Sequence, residues 1–328
     1  MKTWMKILLA VLLTLVMLVV TRLNSKGQPE NITYQENGYT FTMTTVPKLL
    51  EGTSGRIELQ VTGAPNSDFN VYFNSQRRGY GGKDIGAPKG LVMMRSDPDN
   101  PGTYYTEVEA FERGGRLLYT IEVRGGNGST RTVFKPENSD AFVLKYIGEV
   151  PPYILLPHIL FIFATFFCVS LATINAVPLL RGQITDARAM MVCLFWATVF
   201  TFLGCYPCGI PMNWYAFGAT WEGVPFGTDA TDNKTQLLFV YLLFATLAGL
   251  GWLTHGKTGR NIFTPSGLGW VGISSFVFLM FIFLIPHSIQ FSATLTYAFC
   301  YSVIGLIIAV FLIGYYRAIR AEQRPLKG

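Results

Sequence analysis

Six apolar runs, at 7–21, 153–177, 189–208, 236–254, 268–286 and 293–316, constrain this chain more than any other feature. An α-helix needs about 20 apolar residues to cross the hydrocarbon of a bilayer, and the last five runs reach that scale. The first run is shorter and lies between Lys2 and Lys6 on one flank and Arg22 and Lys26 on the other. Its length suits the core of a secretory leader, but Thr21-Arg22-Leu23-Asn24-Ser25 lacks a small-x-small cleavage site. With Trp4 and Met5 ahead of it and lysines whose stems can lie along lipid, it reads as a retained anchor. Only 14% of the chain is charged, against roughly a quarter in soluble domains.

Charge orients the runs. Lys2, Lys6, Arg181, Arg188, Lys257, Arg260, Arg317, Arg320, Arg324 and Lys327 fall on one side, with only Asp186 and Glu322 among them. Glu222, Asp229, Asp232, Lys234 and the long segment after the anchor fall on the other. Basic loops stay cytoplasmic, so both termini are expected inside and the long segment outside. The net charge of +6 does not mark a nucleic-acid binder. The outer segment, 28–150, holds 13 Lys+Arg against 15 Asp+Glu, and the excess base flanks apolar runs.

Between about Tyr34 and Gly148 the apolar residues alternate in short runs, as in Tyr39–Thr44, Arg56–Val61, Thr103–Val108 and Leu117–Val123. Such alternation, broken by turn residues, predicts an antiparallel β-sandwich of immunoglobulin or fibronectin type. Glu112-Arg113-Gly114-Gly115 and Gly125-Gly126-Asn127-Gly128 are its expected turns. Without cysteines the domain must rely on its own core. The glycine-rich stretch Arg77–Lys83 has no P-loop spacing and no helix after it, so it reads as a hairpin loop rather than a phosphate cradle. Asn31-Ile32-Thr33, Asn127-Gly128-Ser129 and Asn233-Lys234-Thr235 match the glycosylation triplet, a pattern common by chance. The expected fold is an anchor (1–27), an outer β-sandwich (28–149), and a five-helix membrane domain (150–328) with an outer loop at 206–235.

Candidate chemistry gathers on the outer face. His158 follows Pro157, and His287 follows Pro286, both at the outer ends of their runs. Together they suit a metal ion or a haem iron; singly, each ring would bond a carbonyl freed by a nearby proline. His255 sits at the opposite end of its run. Cys205-Tyr206-Pro207-Cys208 opens the outer loop without a following histidine, which excludes the covalent haem signature. The pair suits a disulfide, a redox dithiol or, with Met212, soft ligands for copper. Cys168, Cys193 and Cys300 read as packing residues. Asn213–Trp221 is aromatic, as expected at the headgroup level. Asp229, Asp232, Asn233 and Lys234 precede the 236–254 run; Asp232 is the expected N-cap, with Asp229 beside it favouring the helix dipole. The alternative is an oxygen-ligand cation site or an ion-paired cluster facing His158 and His287.

Phe226-Gly227-Thr228-Asp229-Ala230-Thr231-Asp232-Asn233-Lys234-Thr235, the two Pro-His pairs and the outer sandwich resemble bacterial polytopic inner-membrane proteins with an outer immunoglobulin-like domain. The resemblance covers about the last half of the chain. It implies a bacterial inner-membrane setting and no particular activity.

The last five runs contain no Asp, Glu, Lys or Arg, whereas ion-coupled transporters place ionisable residues at mid-membrane. Gly249, Gly251, Gly305 and Gly314 are expected at close helix contacts. The sequence therefore points to a non-catalytic accessory or assembly subunit of a larger respiratory or other electron-transfer complex. Its expected partners are lipid, integral subunits and a periplasmic protein. The alternatives are a haem- or copper-binding redox protein using His158 and His287, and a sensor whose sandwich takes a ligand.

Overall fold

The computed structural model describes residues 1–23, 29–36, 38–63, 69–79, 84–86, 89–125, 131–137, 139–254, 261–285 and 292–322. The chain divides into two compact units. One comprises Met1–Lys26, Pro152–Met212 and Trp221–Gly328; the other comprises Gly27–Pro151 together with Asn213–Thr220.

The β unit has eleven described strands: β1 (Asn31–Glu36), β2 (Tyr39–Thr44), β3 (Lys48–Leu50), β4 (Gly55–Gly63), β5 (Phe69–Arg78), β6 (Lys89–Met93), β7 (Arg95–Ser96), β8 (Thr103–Val108), β9 (Arg116–Gly125), β10 (Arg131–Phe134) and β11 (Phe142–Ile147). They form two sheets, ordered β1-β2-β4-β8-β7 and β3-β11-β9-β5-β6, with β10 also paired to β9. Period-two alternation decides which residues turn inward. Strand β4 buries Ile57, Leu59 and Val61 and exposes the residues between; β9 buries Leu117, Tyr119, Ile121 and Val123. These chains from both sheets meet in one cluster. Burial pushes the Tyr119 phenol up to about 12, so it stays neutral. Between β6 and β7 the chain passes from one sheet to the other through the buried Met94.

Glu122 is buried on β9. Burial alone would raise its carboxyl, but bonds from Arg124 (2.5 Å) and Arg131 (3.0 Å) outweigh that and hold it below the ordinary glutamate range. The Asn213–Thr220 segment is held to this unit by its backbone: Gly148 N–H donates to Ala216 O at 2.9 Å, and Arg113 donates to Tyr215 O at 3.4 Å. Gly148 is required there, because a Cβ would lie 2.1 Å from Tyr215 O.

The helical unit contains α1 (Thr3–Leu23), α2 (Pro152–Leu180), α3 (Ala187–Leu203), a π-helical turn (Gly204–Cys208), the start of α4 (Gly209–Phe217), α5 (Ala230–Ala248), α6 (Leu250–Thr254), α7 (Pro265–Leu284) and α8 (Ala293–Glu322). Among the described residues five helices are long and apolar enough to cross a membrane, at Thr3–Thr21, Pro152–Leu180, Ala187–Phe217, Pro265–Leu284 and Ala293–Arg320. The 236–254 run departs from the single expected span. It folds as α5, which starts in the polar Ala230–Thr235 stretch, and as the short α6, with Gly249 as the C-cap of α5 between them.

Helix α1 packs as part of this unit. Ala10, Thr14 and Met17 are buried on α1, and the half-buried Lys6 shares their helical face. Lys6 Nζ donates to Asn175 Oδ1 of α2 at 2.8 Å and pairs with Asp186 at 2.7 Å. Hydroxyls tie other helices: Thr173 of α2 to Gly272 O of α7 at 2.9 Å, Thr198 of α3 to Leu242 O of α5 at 3.0 Å and to Thr246 Oγ1 at 2.9 Å. On α7, a Cβ at Gly272 would lie 2.5 Å from Ala176 Cβ, and one at Gly269 would lie 3.0 Å from the Leu180 backbone N. Gly249 and Gly314 are also tight, against Met191 and against Ile262 and Phe263, but Gly305 faces open space. Close contact is therefore made by two glycines the sequence reading passed over and not by one that it chose.

Gly272→Ala is expected to destabilise the detergent-solubilised protein by about 1–3 kcal/mol, read as a lowered thermal midpoint, while Gly305→Ala has no such cost. Because the folded Glu122 carboxyl lies below its unfolded value, its contribution is complete above the ordinary glutamate pKa and is lost as pH falls through the folded one. Glu122→Gln should lower the stability of the β unit by about 1.5–3 kcal/mol at neutral pH. It should also flatten the stability decline below about pH 4, measured by denaturant titration across pH.

Candidate functional site

The strongest concentration of polar side chains in the helical unit lies at the start of α5. Asp229, not Asp232, is the N-cap: its backbone is extended and its carboxylate accepts from the Thr231 and Asp232 amides at 2.8 and 3.0 Å. The chain turns helical directly after Asp229, so this is the residue whose side chain can reach the unpaired amides of the first turn. Asp232 sits in that turn and is buried. Its carboxylate accepts the Glu222 amide at 2.7 Å, and the Glu222 carbonyl accepts the Asp229 amide at 2.9 Å. The neighbouring Asn233 Oδ1 accepts the Val224 amide at 2.7 Å. The loop leading into α5 is thus clamped to the helix by its own main chain, with Val224 buried beneath.

Lys234 is 3% exposed and donates to Ile285 O at 2.9 Å. Ile285 is the C-cap of α7, so the ammonium meets the negative end of that helix. Asp229, Asp232, Asn233 and Lys234 lie together at the start of α5, and each is engaged with backbone groups of this chain. Burial of Asn233 in the helix also sets the Asn233-Lys234-Thr235 triplet away from solvent. Among the described residues, Asn233 Nδ2 and Gln236 Oε1 have no hydrogen-bond partner. They lie three residues apart on α5, on neighbouring positions of its surface.

His158 on α2 points at the π turn. Its Nδ1 is 2.9 Å from Gly204 O; a carbonyl only accepts, so Nδ1 carries the proton and Nε2 has the lone pair in the neutral ring. This is the carbonyl-bonded arrangement, although the carbonyl comes from the neighbouring helix and not from the turn before Pro157. Proline at 207 removes an amide from the end of α3, and the chain takes a wider π turn there. Gly204 lets this turn approach α2, since a Cβ would sit 3.2–3.3 Å from Ile162 and Phe161. His287 and His255 lie outside the described residues, as do 80–83 of the glycine-rich loop and Asn127-Gly128-Ser129.

Cys205 and Cys208 occupy the π turn as free thiols, Cys205 buried against Thr235 and Cys208 half-buried. Tyr206 between them stacks on Trp221 with centroids 5.4 Å apart. Among the described residues no group of three or more His, Cys, Asp or Glu is arranged to hold a metal ion. Sequence reasoning missed the Lys6–Asn175–Asp186 contact. Its traces were a lone Asp on the basic side and an Asn inside an apolar run.

No protein-family model and no curated protein matches the chain. Among solved structures, murine CRIg is similar at 8% identity and TM-score 0.21, over 37% of this chain and 97% of that one. The structure titled pT26-6p is similar at 8% identity and TM-score 0.21, over 86% of this chain. This chain spans about half of that structure, 47% of its length.

Asp229→Ala should cost about 1 kcal/mol of stability and speed amide hydrogen exchange at Thr231 and Asp232. Asp232→Ala should speed exchange at Glu222 instead, which separates the cap from the clamp.

Proposed function

We propose that this protein is a non-catalytic accessory or assembly subunit of a larger bacterial inner-membrane complex, of respiratory or other electron-transfer type. The observation that carries this reading is the use made of the polar side chains. Asp229, Asp232, Asn233, Lys234 and His158 each bond to this chain's own amides or carbonyls, where an enzyme would turn such groups toward substrate. Large apolar side chains remain outward on the long helices, Leu306, Val310, Leu312 and Ile313 of α8 among them, and these suit lipid and integral partner subunits.

In this reading the β unit is an immunoglobulin- or fibronectin-like sandwich on the periplasmic side, and both termini are cytoplasmic. Helix α5, extended by α6, crosses with the other five. The Lys6–Asp186 pair supports the orientation, since it joins the start of α1 to the turn after α2, both assigned inside by charge. The packed face of α1 supports its retention. The resemblance to bacterial inner-membrane proteins with an outer immunoglobulin-like domain supports the setting.

The test is purification from a bacterial membrane under mild detergent, followed by a visible spectrum, metal analysis and identification of co-purifying chains. Colourless, metal-free protein accompanied by integral subunits of one complex is the expected result. Stoichiometric haem or copper would overturn it and favour a redox protein built on His158 and His287.

A further inference from the structure

The β unit contains a cleft of about 340 Å³ where its two sheets part, a volume within the range of ligand sites. Its floor is the buried core itself: Phe73, Leu117 and Tyr146 are each no more than 5% exposed. The register shows why the cleft is open. Val92 of β6 stands opposite Phe73, so both side chains turn to the same face. Phe73 is covered, yet Val92 is 47% exposed. An inward-facing valine is left uncovered because the chain crosses to the other sheet immediately afterwards, at Met94.

Strand β6 is also the last of its sheet, so its outer edge has no partner strand among the described residues. Such edges are commonly blunted by charge, proline or short length. Here Leu91 and Met93 alternate with Val92 and so turn to the other face of β6; they are 39% and 58% exposed, which leaves the edge strand apolar on both faces. One end of the cleft is a built wall. Arg77 pairs with Glu109 at 2.6 Å, and the Tyr146 hydroxyl donates to Glu109 O at 2.8 Å. At the rim, Arg95 and Glu107 line the cleft, and among the described residues neither has an ion-pair partner.

We propose that this cleft and the β6 edge dock an extended peptide segment of a partner protein. The segment adds as a strand along β6, places one aliphatic side chain over Val92 in the cleft, and carries an acidic residue to Arg95. A strand with a free edge beside a preformed apolar pocket is the arrangement that strand addition uses, main chain for affinity and pocket for specificity. A small ligand would fill the cleft but leave Leu91, which does not line it, uncovered.

This proposal rests on the reading of the protein as a partner-contacting subunit. The test pans a phage-displayed library of short random peptides against the full-length protein in lipid nanodiscs, with empty nanodiscs as control. Enriched peptides are expected to alternate aliphatic with polar residues and to carry an acidic one. Their binding should slow amide exchange at Leu91–Met93 and weaken by about tenfold or more in Val92→Lys. Arg95→Glu should weaken the acidic peptides and spare neutral ones. Both substitutions fall on exposed side chains, and unchanged thermal midpoints would confirm intact folding. No enrichment over empty nanodiscs, or equal binding to Val92→Lys, overturns the site. Either result with co-purification of the complex intact removes this site alone. Peptide binding that persists while no integral subunit co-purifies removes the accessory reading and leaves the cleft.

Discussion

Helix α2 packs against α1, α3 and α7, and glycines and short polar bonds set how closely each approaches. Toward α7 the limit is the absence of side chains at Gly269 and Gly272. Toward α1 it is Asn175, which accepts Lys6 while its own amide returns to Leu171 O. Toward α3 it is Gly204, together with the hydroxyls of Thr165 and Thr201 at 3.2 Å. Dispersion falls steeply with separation, so close backbone approach gives more contact per residue than bulky packing. Polar groups in an apolar bundle lack water as an alternative partner. Each such bond therefore fixes register as well as distance.

The parts of this architecture that depend on local pattern were legible in the sequence. Alternation placed β2 and β8 at Tyr39–Thr44 and Thr103–Val108, as found, because period-two burial is a property of a strand and its own side chains. Long apolar runs marked the helices for the same reason. The 236–254 run was harder to read. Its helix begins earlier, at Ala230, since capping by Asp229 outweighs the polarity of the first turn, and it ends at Gly249. Composition cannot rank Asp229 against Asp232 as caps, because both types suit the position and only backbone dihedrals separate them.

The candidate site was legible as a location and less so as a set of roles. Asp229, Asp232, Asn233 and Lys234 do converge, but their partners are amides and carbonyls of Glu222, Val224 and Ile285. Backbone groups look alike in any sequence, so a loop clamped by side chains onto main chain leaves no pattern to find. The choice among glycines failed for a related reason: whether a Cβ would clash depends on the opposing helix, and Gly305 and Gly272 stand in similar local sequence. The open cleft beside β6 is hidden in the same way. Val92 reads as an ordinary strand valine until its partner strand and the crossing at Met94 are known.

The division of the chain has a consequence for how the protein is made. The β unit includes Asn213–Thr220, synthesised well after β11, and Gly148 and Arg113 receive that segment through its carbonyls. On a ribosome the eleven described strands are made first, and the segment that joins their unit arrives only after α2, α3 and the π turn have been synthesised. The β unit must therefore keep a vacant berth during synthesis. Its final closure follows the synthesis of α2, α3 and the π turn.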